Sequence, residues 1–365
     1  MLYHHDSRDY QAAASEAAKH ARSKLESLID AGRSKALALL DTIADEVPTD
    51  MVVPTQAINY VPVDNTIAMG IDNHGVWNVH PHALAQIVDK TGILNRTVAT
   101  RMSDAGEWGK DLLAHCLNEI NRRSRSRVLV RGVKAEVRGY LSDRYRRMDS
   151  WPIIDSYLKA TTALDCVPVD GHAMTTKWAL KMMLPRVYEP VENEVMAFGM
   201  VLSNSDYGDG ALSLRAFSLR LWCTNTAIRE ECMRKVHLGS RLSDNMTYSQ
   251  RTYQLDSETI ASAIEDVVGS VMCPDRINAE CAVIEAAHQE KINPKKTLDA
   301  LQKKGLLSKQ EQSEISEAYN APDIELLPPG QSKWRLANAI SLIAGRTADQ
   351  RRQFDLQLVA GKILN

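Results

Sequence analysis

Ten cations fall within residues 121–150: Arg122, Arg123, Arg125, Arg127, Arg131, Lys134, Arg138, Arg144, Arg146 and Arg147. Glu136, Asp143 and Asp149 are the only acids there, so this stretch has a net charge of +7 in a chain whose formal net charge is −2. Tyr140 and Tyr145 lie among the arginines. Guanidinium groups spaced along a strand or its rim can hold a phosphate backbone, with an affinity that falls as salt rises. Aromatic rings beside them supply faces on which unpaired bases stack. The same composition also suits a solvated hairpin whose arginines pair with acids of flanking helices.

A second group of residues lies in "RAFSLRLWCTNTAIREECMRK", residues 215–235. Arg220 sits on the strand face opposite Arg215 and is a candidate to extend the basic surface. Thr224 or Asn225 is placed to cap a helix beginning near Thr226. Cys223 has no partner histidine that would make it a nucleophile. Asp206 and Asp209 flank Gly208 in "SDYGDG". Two carboxylates in a glycine-containing loop can approach a divalent cation, but the spacing places no third ligand. The chain has no HExxH, GxSxG or P-loop pattern. These absences favour binding without catalysis, cofactor or metal, and leave a metal-dependent nuclease using Asp206 and Asp209 as the weaker reading.

The elements that must position these residues are legible in outline. Residues 10–46 are alanine-rich, lack proline and space Leu25, Leu28, Ile29, Leu37, Leu40 and Ile43 as a helix does. That pattern predicts one helix or two, broken near Gly32, covering either the body of the protein or a neighbouring subunit. Residues 47–64 read as extended, followed by a short hairpin turning at "DNHG" and helices over "PHALAQIVDKTGI" and "EWGKDLLAHCLNEINRR". "SRVLVRGVKAEVRGYLS" alternates about a Gly-Val-Lys turn and predicts a β-hairpin. "DSWPIIDSYLKATTAL" predicts a helix capped by Asp149 or Ser150. Three strand candidates follow, in "TTKWALKMMLP", "NEVMAFGMVLSNS" and "ALSLRAFSLRLWCTN". From about 257 onward the pattern is helical, and "SKWRLANAISLIAG" reads chiefly as core. The order predicts an α+β fold: a mixed or antiparallel sheet with a packed helix, between helical N- and C-terminal regions. The expected division is a helical arm over 1–50, an α+β core with the basic hairpin over 51–256, and a helical region over 257–365.

Bulk properties narrow the setting. At 44% hydrophobic and 25% charged, the 365 residues are ordinary for a globular protein. A near-neutral chain does not bind nucleic acid through a broad basic surface, so any such role must be local. Six scattered cysteines form no CxxC pair and suggest a reducing compartment. "MLYHHDSRDY" holds no apolar signal core, and no run reaches membrane-spanning length. The expected location is the cytoplasm.

Several blocks taken together resemble a known family. "HPHALAQIVDKTGI", "LLAHCLNEI", "VRGYLSDRYRRMDSWPIIDSYL", "LRAFSLRLWCTN" and "WRLANAIS" are similar, in that order, to the phage- and plasmid-encoded family of unknown function numbered nine-three-two. The resemblance spans roughly 65–350 and is most specific in "LSDRYRRMD" and "LRLWCTN". The family usually has a glycine where this chain has Thr226. The resemblance implies a mobile-element setting, in which the cytoplasm would be that of a host, but no activity. In outline the predicted core is also similar to phage single-strand annealing proteins, whose subunits oligomerise around a basic groove; this is analogy at the level of fold. The expected function is single-stranded DNA binding by a homo-oligomer, with strand annealing as its extension. The expected contacts are Arg127, Arg131, Lys134, Arg138, Tyr140, Arg144, Tyr145, Arg146, Arg147 and Arg220. The alternative is an assembly factor whose arginines meet an acidic protein partner.

Overall fold

The computed structural model describes residue 10 and residues 16–63, 66–221, 225–235, 237, 249–321 and 327–364. The chain enters as one unbroken helix, α1 (Glu16–Asp45). Gly32 does not interrupt it. A Cβ at Gly32 would lie 2.4 Å from the Cα of Val169, so the glycine lets the helix rest directly on a strand backbone. That contact is a packing reason for a residue that costs a helix interior about 1 kcal/mol. The face of α1 carrying Ala18, Ala21, Leu25, Leu39 and Ile43 is buried on its own chain, so the helix is not a free arm, while Leu37 of the expected stripe stays exposed.

The strands form two sheets, where the sequence pattern suggested one. The first contains β1 (Thr49–Pro54), β2 (Ile58–Val63), β3 (Thr66–Ile71), β4 (Gly75–Val79), β5 (Arg127–Val133) and β6 (Glu136–Ser142). Its order is β1-β5-β6-β4-β3-β2, with β4 and β6 parallel and the other pairs antiparallel. Between β4 and β5 come α2 (Pro81–Thr91), α3 (Arg96–Asp104) and α4 (Glu107–Arg123). Val128, Val130, Val137 and Tyr140 pack with Ala83, Ile87, Leu113 and Leu117 of α2 and α4 to form this sheet's core. Asn118 of α4 also closes the sheet's outer edge: its side-chain amide accepts from Tyr60 N (2.7 Å) and donates to Tyr60 O (2.8 Å). Such a plug occupies main-chain groups that would otherwise template another strand.

The second sheet follows α5 (Ser150–Thr162). It comprises β7 (Val167–Ala173), β8 (Trp178–Met183), β9 (Tyr188–Val191), β10 (Glu194–Asn204), β11 (Leu212–Arg220) and β12 (Asn225–Lys235). It is antiparallel in the order β12-β11-β10-β8-β7, with β9 pairing β10. Helices cover both faces, and for that reason every residue of β10 is buried. The helix expected near Thr226 is instead β12, in register against β11 with Leu219 opposite Thr226. Apolar Ala227 and Ile228 are buried in the cores on either side of this edge strand, and that burial together with pairing to β11 outweighs the capping tendency of the residues before it. Cys223 lies outside the described residues.

The helical region begins earlier than 257, with α6 (Gln250–Val271), and continues through α7 (Pro274–Gln289), α8 (Pro294–Lys303), α9 (Lys309–Asn320), α10 (Lys333–Arg346) and α11 (Gln350–Leu364). "SKWRLANAISLIAG" is core, as its pattern suggested: Trp334 to Ala344 is buried without interruption in α10. The α+β assignment holds. Among the described residues, no helix is long and apolar enough to cross a membrane.

Candidate nucleic-acid interface

The basic stretch divides into two populations. Arg131 points from β5 into the joint between the sheets and is 1% exposed. It donates through Nε to Asp50 (2.7 Å), through Nη2 to Asp149 (2.6 Å) and through Nη1 to the Asp206 carbonyl (2.8 Å). Burial opposes its charge, but Asp50, Asp149 and Asp206 together hold its pKa above the ordinary guanidinium value. Arg138, also buried, donates to Glu46 at the end of α1 and to Glu136. Burial works against this charge too, and the two glutamates more than compensate. Arg220 is enclosed in the second sheet, bonded to Glu194 at 2.6 and 2.8 Å; Glu194 also accepts from the Trp334 indole (3.0 Å). These three arginines were expected on a phosphate-binding face. They are closed to a polyanion because each enters the core with a carboxylate of its own.

Both expected stacking tyrosines are also committed to the interior. Tyr140 is 3% exposed, in the core of the first sheet. Tyr145 stacks on His237, with centroids 4.8 Å apart, and donates to the Ser205 carbonyl (3.2 Å). Burial raises the Tyr145 pKa and lowers that of His237 to about 4. Arg146 pairs with Asp256 of α6; Arg147 pairs with Asp50 (2.9 Å) and lies over the Tyr253 ring. Tyr145, Arg146 and Arg147 therefore tie the first sheet to α6 and to the loop after β10.

That loop, 204–210, is the hub. Ser205 Oγ donates to Thr176 O (2.7 Å) and accepts from Asp209 N (2.8 Å). Gln86 of α2 donates to Tyr207 O (2.9 Å) and accepts from Tyr140 N (2.7 Å), bridging the loop to β6. Asp206 sits at the start of α5, where Ser150 Oγ donates to its Oδ2 (2.6 Å). Asp149, the expected cap, makes no capping bond because Arg131 takes its carboxylate. Asp206 thus serves α5 from another element. Burial pushes its carboxyl pKa up to about 6, against the pull of Arg131. Asp209 accepts instead from Thr176 (2.7 Å) and Arg351 (3.0 Å). The two aspartates do not converge, and among the described residues no group of three or more histidine, cysteine or acidic side chains could hold a metal ion.

The second population is exposed. Arg122 and Arg123 end α4 with side chains 68% and 81% exposed, both beside Glu119. Arg125 is exposed, Arg127 is half-buried at the start of β5, and Arg144 is exposed just past β6. Val128 pairs with Ser142, so the entry to β5 and the exit from β6 lie side by side. These five arginines therefore form one rim at one end of the hairpin. Its backbone is fixed: Thr55 N donates to Ser126 O (3.0 Å), and Gln56 Nε2 donates to Arg122 O (3.3 Å). Lys134 is exposed but at the opposite end, where Lys134 and Ala135 (φ 49° and 63°) form the two-residue turn. Paired positive-φ residues are what a tightly twisted hairpin turn requires. Arg122, Arg123 and Arg125 stand out in the sequence as cations but not as expected contacts; their place in and just past the last turn of a helix was the available signal.

No family model, no curated protein and no solved structure matches this chain.

Proposed function

We propose that the protein binds single-stranded nucleic acid, DNA in the first instance, through the rim of Arg122, Arg123, Arg125, Arg127 and Arg144. The observation that supports this reading is the five-arginine edge on a pinned backbone, with Glu119 paired to Arg122 and Arg123. Cations held in place on a rigid element lose less entropy on meeting phosphates than a mobile basic tail does. The rim offers phosphate contacts without tyrosine stacking, so binding through it is strongly salt-dependent and only weakly base-selective. Neither contact calls for nucleotide hydrolysis. Annealing of complementary strands and assembly of several copies on one strand are extensions of this reading.

The test is a titration of the full chain with a fluorescent single-stranded oligonucleotide at several salt concentrations. A log–log slope of roughly −0.7 per phosphate contact is expected. Absence of binding at low salt by folded protein would end the proposal. One feature favours an assembly factor instead. Trp108 (65% exposed) and Leu112 (40%) share an outward face of α4, the helix that ends in Arg122 and Arg123. A basic patch joined to an apolar stripe suits an acidic protein partner. Charge reversal of the rim with unchanged oligonucleotide affinity would favour that second reading.

A further inference from the structure

One amine of the protein has an unusual seat. Lys90 lies in the last turn of α2, and its side chain is exposed. Lys19, Lys35, Lys159, Lys181 and Lys333 each come within ion-pair distance of a carboxylate. Lys90 has no such pair among the described residues; its Nζ lies 5.3 Å from the centroid of the Tyr140 ring. That seat is fixed from below. Tyr140 is buried in the core of the first sheet, and its backbone N donates to Gln86, one turn before Lys90 on α2 (2.7 Å).

A ring face attracts a cation only modestly and does not replace the water that an ammonium gives up on resting against it. Burial of the amine end accordingly lowers the Lys90 pKa to about 8, although Asp143 pulls the other way. An ordinary lysine, with a pKa of about 10.4, is almost wholly protonated at that pH. Lys90 therefore presents a large fraction of neutral amine, whose lone pair is a nucleophile, on a side chain that reagents can reach. Its surroundings are basic. Asp143 is followed by Arg144, which is exposed at the same end of the hairpin as Arg122, Arg123, Arg125 and Arg127. Such a setting favours an anionic reagent over a neutral one.

We propose that Lys90 is a covalent modification site, an exposed amine seated on an aromatic ring that takes acyl groups from acyl phosphates. The neutral amine attacks the acyl carbon and an amide C–N bond forms. The C–O bond to phosphate breaks, inorganic phosphate leaves with the bonding pair, and the amine proton passes to water. The product has one positive charge fewer beside Asp143 and Arg144. The proposal does not rest on strand binding, since it needs only the amine and the acyl donor.

The experiment incubates the full chain with acetyl phosphate at pH 8 and follows acetylation of each lysine by peptide mass spectrometry. Lys134, exposed in the hairpin turn, is the internal reference. Lys90 is expected to react about tenfold faster than Lys134, the larger neutral fraction being offset in part by a less basic nitrogen. In denaturing urea the two rates should become equal. Asp143→Asn changes an exposed side chain and should raise the Lys90 rate at pH 7 by about twofold, because the acid favours the ammonium. Equal rates at Lys90 and Lys134 in the folded chain would overturn the proposal. A preference that persists in urea would belong to the local sequence and not to the seat on Tyr140, and would overturn it as well. So would an Asp143→Asn variant in which Lys90 reacts more slowly than in the wild type.

Discussion

Arg131 and Arg125 lie six residues apart in the same basic run and do opposite things. Arg131 enters the joint with Asp50 and Asp149 and is closed to solvent; Arg125 stands on an exposed turn. Arg138 and Arg220 follow Arg131, while Arg122, Arg123 and Arg144 follow Arg125. Charge density along the chain does not distinguish them. What does is the presence of a carboxylate from a distant element: Glu46 lies just past α1, and Asp50 and Glu194 come from β1 and β10. A guanidinium that meets such a partner can be buried, and its value then lies in holding two elements in register.

The sharpest way to break this contrast is to remove one member of each group. Arg131→Ala leaves Asp50 and Asp149 without their common partner in the joint, and is expected to cost about 3–5 kcal/mol in urea unfolding. A cost below about 1 kcal/mol would mean the joint does not depend on it. Asp206→Asn should act in the opposite direction. Its folded pKa of about 6 exceeds the ordinary 3.8, so the unfolded chain gives up this proton more readily. Stability is therefore lost as pH rises from about 3.8 to 6, and the deficit persists above that. Removing the charge should add about 3 kcal/mol at pH 8, less at pH 5, and nothing below the unfolded pKa.

His237 tests the same joint from the acid side. Its folded pKa of about 4 lies below the usual 6.5 because burial disfavours the imidazolium. Its contribution is complete above pH 6.5 and disappears as pH falls toward 4. A His237→Gln variant should show a weaker loss of melting temperature over that window than the wild type. At the small end, Arg125→Glu or Arg144→Glu should change stability by under about 0.5 kcal/mol, since both side chains are exposed. Each should make the salt slope of oligonucleotide binding shallower by about 0.7. A large stability loss from either would merge the two populations and undo the comparison.

Element types were largely legible. The helix over "EWGKDLLAHCLNEINRR" and the strands over "NEVMAFGMVLSNS" and "ALSLRAFSLRLWCTN" follow from periodicity and punctuation, because apolar spacing reports the local repeat. The hairpin turn was displaced by one residue, onto Lys134 and Ala135, which are poor formal candidates for positive φ. The candidate site was much less legible. "SDYGDG" read as a loop between strands, and nothing local marks Asp206 as the residue that serves α5 from 56 positions away.

By itself, then, the sequence determined where most of the long helices and strands lie, that the fold is α+β, and that the positive charge concentrates in one stretch. Each of these depends on neighbours a few residues apart. Only the tertiary structure decided that the strands divide into two sheets, that Arg131, Arg138 and Arg220 are interior, and that Arg122, Arg123, Arg125, Arg127 and Arg144 form a rim. The reason is physical. Whether a charge can leave water depends on an opposite charge arriving from far along the chain, and no local pattern records that arrival.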